Sequence, residues 1–581
     1  MSGTAGYEFS HDVKALSTLE RKRISAFVNV AHFERYPINS EPTLASGDER
    51  NTSQSCSNKA RAAEKRARCQ SQIPKAWELP AALVQSLAHP LESSKNNLVE
   101  LNIPRRSGLL TEKELNITEA HDVRSLLKAL ASGELTSLEV TVAFCKRAAI
   151  AQQLTSCLTE IFFGQALERA RYLDTLREKG EVVGPLHGLP ISLKDSFQVR
   201  GTDATLGLIA YLDNGPSQEN SALNPWNTSL TAGGSSGGEG ALIAFRGSPL
   251  GVGTDVAGSI RIPALCCGLY GFRPTTSRVP YGNQAPIANP GLRTILSSAG
   301  PLANDVGALE IFLKSVIGSR PALLDSTAVD VPWRNVGPPQ SKLRFGVLAE
   351  DPLLPWHPTV KKAVSDTVDT LRSQGHELVW LSAQECLTAA CYDVATQMFS
   401  LDKTSAEILA KGGEPLIPSL VYIRDAMKEV KWDRNFLPDT RTTKDGLQRL
   451  SLLNIKRFEI QDLWKKMWVA HGLDAVIGPG AQTTAVEHDM YALAPYTCLF
   501  SFLDYPACVI PVGRVENPSP AGSLVKAPGQ TVPPYNPANL EGAPTAIQII
   551  TTTMRDEECL EIAKLIDTYV KAESRNGAPK L

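Results

Sequence analysis

The stretch TAGGSSGGEGAL, residues 231–242, places four glycines and two serines in the six positions from Gly233 to Gly238. Glycine lets the backbone adopt conformations and close approaches that a side chain would block. Residues 238–246 have the pattern of a helix, and PLGVGTD, residues 249–255, that of a buried strand. The glycine-serine loop is therefore expected at a helix N-terminus, directly before a strand.

Helical and strand-like segments alternate on both sides of this loop. Thr136 and Glu139 form a capping-box pattern at a helix start, and a second helical pattern follows through Leu167 to Leu176. The segment GPLHGLPISLKDSF, residues 184–197, contains a short apolar run that predicts a buried strand ending at Lys194. Further strand-like segments, such as 474–480, follow the loop. This alternation predicts an α/β fold.

The sequence in and after this loop excludes two kinds of nucleotide-binding site. A phosphate-binding P-loop needs Lys and then Ser or Thr after its last glycine, whereas Gly238 is followed by Glu239. The segment GVGTDVAG has Val256 where a dinucleotide fingerprint needs its third glycine. We therefore expect no nucleotide cofactor.

An esterase is a rival interpretation, because the loop satisfies the G-x-S-x-G pattern at both Ser235 and Ser236. That class needs a strand running into the serine, and a later acid and histidine. The preceding NPWNTSLTA is polar and turn-like. No sequence context ties a histidine to a triad; the candidates are His357, His376, His471 and His488.

Composition bounds the class of protein. The chain has 581 residues, 43% of them hydrophobic, which is enough for a large globular core. Lys plus Arg (59) nearly balances Asp plus Glu (61), so the surface offers no basic field for nucleic acid. No apolar run is long enough for a transmembrane segment and the first residues lack the apolar core of a secretory signal, so a cytoplasmic location is expected. Eleven scattered cysteines without a CxxC pair predict buried free thiols, with neither disulfides nor a metal site.

Three separated segments agree in order and character with one known family. They are the strand end at Lys194, the loop GGSSGGEGAL, and LGVGTDVAGSIRIPALCCGLYGFRPTTSRVP (250–280) with its isolated Ser259. Together they resemble the amidase signature family of serine hydrolases, closest to its acetamidase-like branch. The resemblance implies an α/β/α fold in which helices flank both faces of a large mixed central β-sheet. It implies no cofactor and no metal.

The resemblance also assigns roles to the catalytic residues. Ser259 matches the nucleophile that forms an acyl-enzyme, and Lys194 matches the base. Ser235 matches a serine whose peptide bond is cis and whose hydroxyl relays a proton between nucleophile and base. A serine hydroxyl attacks only when a neighbour removes its proton, and a lysine can do so only when it is neutral. Burial lowers a lysine pKa, and the apolar lead-in to Lys194 offers such a setting.

The loop before the nucleophile is expected to stabilise the developing oxyanion. Its donors would be the backbone N–H groups of Val256, Ala257, Gly258 and Ser259, and Ser235 would also belong to the oxyanion hole. The family usually has glycine where this chain has Ala257. If that position needed a positive φ, the methyl group would strain it.

Three further residues are expected to support this arrangement. Asp255 and Arg261 would pair across the loop, and Ser236 would form a hydrogen bond within the site.

The domain organisation is expected to be simple except at one point. Residues 1–75 form a poorly ordered or partly helical extension, in which KARAAEKRAR (59–68) suggests a solvated helix. Residues 76–581 form a single amidase signature domain. The interval from Lys194 to Ser235 is several tens of residues shorter than is usual in the family, and a helix and a strand are missing near Leu223.

The expected activity is hydrolysis of a carboxylic acid amide to the acid and ammonia. The partner is a small-molecule amide substrate, and a homodimer is left open. Two alternatives remain: an inactive pseudoenzyme or truncated gene product, because of the missing segment, and the glutaminase subunit of a tRNA-dependent amidotransferase.

Overall fold

The computed structural model describes residues 51–208, 211, 222–433, 443 and 445–577. The expectations for residues 1–50 lie outside this part of the chain, as do those for most of the segment immediately before Leu223. Everything stated below about structure refers to the described residues.

The centre of the molecule is a nine-stranded sheet with the order β1-β2-β4-β3-β8-β9-β7-β5-β6. The β1/β2, β5/β6 and β5/β7 pairs are parallel and the other pairs are antiparallel, so the sheet is mixed. The strands are β1 (Ser192–Leu193), β2 (Leu250–Asp255), β3 (Tyr270–Arg273), β4 (Ser298–Ala303), β5 (Arg344–Val347), β6 (Glu377–Trp380), β7 (Ala475–Gly478), β8 (Ala507–Arg514) and β9 (Pro544–Ile550).

Nineteen α-helices accompany the sheet in the described part of the chain. They are α1 (Asn51–Ser71), α2 (Ala81–Gln85), α3 (Ile103–Arg106), α4 (Glu112–Glu119), α5 (Val123–Ser132), α6 (Ser137–Thr155), α7 (Phe163–Glu178), α8 (Gly237–Ala244), α9 (Arg261–Cys267), α10 (Val306–Gly318), α11 (Pro358–Ser373), α12 (Ala383–Cys386), α13 (Thr388–Phe399), α14 (Thr404–Gly412), α15 (Pro418–Glu429), α16 (Gly446–His471), α17 (Pro495–Leu503), α18 (Pro537–Leu540) and α19 (Asp556–Gly577).

Helices cover both faces of the sheet, as the alternation of side chains along β8 shows. Val509 packs in one apolar cluster, which contains residues of α8 and α9. Its neighbours Cys508 and Ile510 pack in a second cluster, which contains residues of α10, α11 and α19. Successive side chains of a strand point to opposite faces, so each face has its own core. The expected mixed sheet with helices on both faces is confirmed.

Local sequence signals predicted several elements correctly. Thr136 and Glu139 form the expected capping box at the start of α6, with each side chain bonded to the other residue's backbone N–H. The helix after the glycine loop is α8, and PLGVGTD forms β2.

The N-terminal helix α1 is held by buried charge, which corrects the expectation of a solvated helix. The Lys65 side chain is only 1% exposed and pairs with Glu160 and with Asp203, the latter at 3.0 Å. Arg68 reaches the same Asp203 carboxylate at 2.8 Å. One face of α1 is therefore part of the folded body.

Strand β1 lies at one edge of the sheet and contains two residues. Leu193 is 38% exposed, so the prediction of a buried strand before Lys194 was wrong in its burial. Between β1 and α8, the described residues contain no further helix or strand that could cover this edge. The missing segment near Leu223 stays a prediction.

Ten of the eleven cysteines have side chains that the structure describes, and all ten are buried free thiols, as predicted. Across the described residues, no helix is both long enough and apolar enough to cross a membrane.

Candidate active site

Strands β1 and β2 place Lys194 next to the end of β2, where the loop to Ser259 begins. Their parallel register sets Leu193 opposite Val252, and the Lys194 N–H continues the pairing by donating to the Val252 carbonyl at 3.0 Å. Lys194 therefore leaves the edge strand at the same end at which Thr254 and Asp255 finish β2. The nucleophile candidate follows four residues later.

The Lys194 side chain makes two hydrogen bonds. Its Nζ donates to Ser235 Oγ at 2.6 Å and to Thr254 Oγ1 at 2.8 Å. The first bond joins two residues that are 41 positions apart and links the expected base to the expected proton-relay serine.

The electrostatic setting of Lys194 makes it a usable base. Burial lowers the pKa of Lys194 to about 8, against the opposing influence of the charges on Asp255, Glu239 and Asp195. Desolvation disfavours the charged ammonium, so near pH 8 a large fraction of this side chain is neutral. A neutral amine can accept a proton.

The glycine-serine loop adopts the backbone that the resemblance implied. The Gly234–Ser235 peptide bond is cis, as predicted. Ser236 is buried, and its Oγ accepts from the Thr254 N–H at 3.4 Å. This bond confirms that Ser236 is tied to the site. Gly233 has φ of +79°, and a Cβ there would lie 3.1 Å from the Ile262 backbone, so the loop passes close to α9.

Ser259 is partly exposed and is placed beside the paired serines through the backbone. Its carbonyl accepts from the Ser236 N–H at 3.1 Å. In the described part of the chain its hydroxyl forms no hydrogen bond, so the structure joins Lys194 to Ser235 but does not join Ser235 to Ser259.

The loop that precedes Ser259 differs from expectation in one donor. The Gly258 N–H donates to Asp255 Oδ1 at 2.7 Å, so this geometry speaks against Gly258 as an oxyanion donor. No described hydrogen bond occupies the N–H groups of Val256 and Ala257. Ala257 does not have a positive φ, so its methyl group causes no backbone strain.

A buried ion pair fixes this loop, as predicted. Arg261 Nε and Nη2 each lie 3.0 Å from one oxygen of Asp255, and both side chains are fully buried. Asp255 also accepts from the Ile260 N–H at 3.2 Å, and Arg261 donates to Ser501 Oγ at 2.8 Å. Burial by itself would raise the pKa of Asp255, but the charge and hydrogen bonds of Arg261, together with the charge of Arg273 and the Ile260 N–H, keep this pKa below its usual value.

Sequence reasoning missed two threonines of the site. Thr254 receives the second hydrogen bond of Lys194, and Thr497 Oγ1 on α17 donates to the Ala257 carbonyl at 2.7 Å. The parallel pairing of the strand before Lys194 with PLGVGTD would have indicated Thr254. Thr497 lies 240 residues from Ala257, and no local signal indicates it.

The histidines that an esterase triad would need are bonded elsewhere. His488 contacts the Thr228 carbonyl, His376 approaches Tyr569, and His471 pairs with Glu385. His357 is fully buried between Thr483 Oγ1 and the Pro533 carbonyl.

In these contacts no histidine bonds to Ser235, Ser236 or Ser259. Among the described residues, no three His, Cys, Asp or Glu side chains cluster in a way that could hold a metal ion.

The mixed sheet and the bond from its edge lysine to a serine of the glycine-rich loop agree with the serine hydrolase class that the sequence predicts. The Amidase family model matches this chain over residues 139–223 and 219–560. The chain belongs to the amidase signature family, and it is an amide hydrolase.

Curated fungal relatives agree with this assignment. The chain is 36% identical over 558 residues to "Acetamidase" of Emericella nidulans, with 87% of this chain and 96% of the relative covered. It is 34% identical over 548 residues to "Amidase" of Gibberella moniliformis, with coverage of 88% and 98%. These names do not favour a glutaminase subunit or a pseudoenzyme.

The fold agrees with a solved structure, "Fatty acid amide hydrolase". The TM-score is 0.78 and the sequence identity 26%, and the match covers 89% of this chain and 96% of that one. The resemblance to the amidase signature fold expected from the sequence is therefore confirmed.

Proposed function

We propose that this amidase hydrolyses a small carboxylic acid amide to the acid and ammonia through an acyl-enzyme on Ser259. The observation that carries the proposal is the 2.6 Å hydrogen bond from Lys194 to Ser235, next to the loop that bears Ser259. With a pKa of about 8, Lys194 can act as a base, and the Ser235 hydroxyl beside it can relay a proton to its amine.

Acylation begins when the Ser259 oxygen attacks the amide carbonyl carbon. Its proton passes to Ser235 as the Ser235 proton passes to the neutral Lys194 amine. The carbonyl oxygen becomes an oxyanion, for which the N–H groups of Val256, Ala257 and Ser259 are the donors that no described hydrogen bond occupies. When the C–N bond breaks, the proton returns along the same path to the leaving nitrogen, and ammonia departs.

Deacylation repeats the sequence with water in place of the serine. Water loses a proton through Ser235 to Lys194 and attacks the ester carbonyl of acyl-Ser259. The C–O bond to Ser259 breaks, the serine regains its proton, and the carboxylic acid is released. Lys194 is neutral again at the end of each cycle. The proposed cycle consumes no cofactor.

A small aliphatic amide is the proposed substrate class. The relatives named acetamidase are similar to this chain over 87% of its length. Acetamide is therefore the first substrate to test, followed by longer acyl amides.

The test combines ammonia release with active-site labelling. The purified chain is assayed with acetamide and treated with a fluorophosphonate, and the adduct is located by peptide mass spectrometry. We expect the adduct on Ser259. We expect Ser259→Ala and Lys194→Ala each to reduce turnover roughly a thousandfold or more, because each removes a member of one proton-transfer unit.

The matched control is Lys362→Ala, which removes an exposed lysine paired with Asp366 on α11. This variant should keep both labelling and turnover. Labelling at Ser235 or Ser236 would contradict the assignment of the nucleophile. A folded, unlabelled wild-type protein would contradict the proposed function and favour the pseudoenzyme.

A further inference from the structure

The carboxyl group of Glu239 is buried between α8, which follows the relay serine Ser235, and β1, which leads to Lys194. Glu239 lies in the first turn of α8, four residues after Ser235, and is 6% exposed. Its Oε2 accepts a hydrogen bond of 2.5 Å from Ser192 Oγ on β1. The helix that follows the relay serine is thus bonded to the strand that carries Lys194.

The adjacent strand provides the space for this carboxyl group. Gly251 of β2 stands opposite Ser192 in the β1/β2 register. A Cβ at Gly251 would collide with Glu239 Oε2 and would lie 2.8 Å from Ser192 Oγ. Glycine inside a strand permits such a close approach, so the Ser192–Glu239 bond is enclosed by three elements.

This bond matters because β1 is weakly held by backbone pairing. The strand has two residues, and a sheet neighbour on one side. A buried hydrogen bond to a carboxylate adds a second attachment two residues before Lys194.

The three carboxylates that act on Lys194 differ in whether another cation already neutralises them. Three carboxylates face it: Asp255 at the end of β2, Asp195 next in the chain, and Glu239 from α8. Asp255 is paired with Arg261.

The other two carboxylates are bonded to hydroxyl groups. Asp195 accepts from Thr205 Oγ1 at 2.6 Å. Glu239 has Ser192 as its hydrogen-bond donor, the thiol of Cys157, just after the end of α6, nearby, and Lys194 as the cation that acts on it.

We propose that Glu239 is a positioning residue of this amidase, which holds β1 to α8 through Ser192 and sets its negative charge beside Lys194. The inference rests on the proposed function, in which Lys194 is the base. An ionised Glu239 stabilises the Lys194 ammonium that forms whenever a serine or water gives up its proton. Burial raises the pKa of Glu239 to about 7, so the carboxyl is mostly ionised where Lys194 titrates.

The direct test measures the titration of Lys194 itself, which needs no turnover. Each variant receives a trace of acetic anhydride across a pH series, and mass spectrometry follows acetylation of Lys194. Glu239→Gln keeps the side-chain shape and removes the charge. We expect it to shift the Lys194 titration to lower pH by about one unit, because the ammonium loses a stabilising charge.

The matched control is Glu377→Gln on β6, the strand at the opposite edge of the sheet. It should leave the Lys194 titration unchanged. An unchanged titration in Glu239→Gln, or an equal shift in Glu377→Gln, would overturn the electrostatic role.

A second variant tests the attachment without removing the carboxyl group. Ser192→Ala should increase hydrogen exchange at least threefold at the Lys194 amide, which donates to the Val252 carbonyl of β2, while peptides of β6 keep their wild-type rates. Unchanged exchange there would overturn the positioning role. Wild-type protein that titrates as expected but hydrolyses no amide would instead count against the proposed function alone.

Discussion

Lys194 can accept a proton only while its amine is neutral, so its pKa predicts how activity depends on pH. With a pKa of about 8, the ammonium form dominates at lower pH and the neutral base at higher pH. We expect kcat/KM to rise through about pH 8 and to fall about tenfold for each unit below it. A pH profile of ammonia release measures this. A flat profile between pH 6 and 9 would contradict Lys194 as the base.

Gly258 and Ala257, neighbours in the loop before Ser259, are expected to differ in how a methyl group at each position affects activity. Gly258 has φ of +133°, and a Cβ there would collide with Thr497 Oγ1 and lie 2.8 Å from Ile262 Cδ1. Gly258→Ala should therefore lower kcat at least tenfold, since the loop must shift to relieve the clash. Ala257→Gly should keep kcat within about threefold, because Ala257 is not strained. Turnover assays compare the two, and an active Gly258→Ala protein would contradict this reading.

At the level of elements, the β2–α9 connection depends on one ion pair inside the protein. Arg261→Met would leave the Asp255 carboxylate buried without its cation. We expect the free energy of unfolding to fall by about 3–5 kcal/mol, measured by urea denaturation. The control Lys362→Met breaks an exposed pair on α11 and should cost less than about 1 kcal/mol. Similar losses in both variants would contradict the role assigned to Asp255 and Arg261.

The edge position of β1 gives the missing segment a testable consequence. The two sections of the family match meet at residues 219–223, where the sequence predicts the gap. Inserting the corresponding segment of the Emericella nidulans acetamidase before Leu223 should raise Tm by several degrees, because the outer edge of β1, which pairs on one side only in the described residues, would gain partners. A Gly/Ser insert of equal length is the control. A Tm no higher than that of the control would contradict a missing segment.

Local patterns predicted those elements and contacts whose causes are local. The capping box at Thr136 and the Asp255–Arg261 pair need residues within a few positions of each other. The burial of Lys65 could not be foreseen in this way, because its partners Glu160 and Asp203 lie 95 and 138 residues away. The hydrogen bond from the Gly258 N–H to Asp255 depends on the conformation of the turn between these residues, which the composition does not determine.

At the scale of the whole molecule, the candidate site lies near one end of the strand order. Strand β2, which leads to Ser259, has neighbours on both sides, whereas β1, which leads to Lys194, has one. The core that holds the rest of the sheet is formed by two extended apolar clusters on opposite faces. The nucleophile is thus carried by an inner strand and the base by the outermost one.

This placement separates loss of function from loss of structure. An outer strand of two residues can detach while the sheet and its two cores remain intact, since local openings require less free energy than global unfolding. On warming, hydrolysis should therefore cease several degrees before the helical circular dichroism signal falls, and it should return on cooling. Hydrolysis would then be lost before the fold, because the strand that leads to the base opens first.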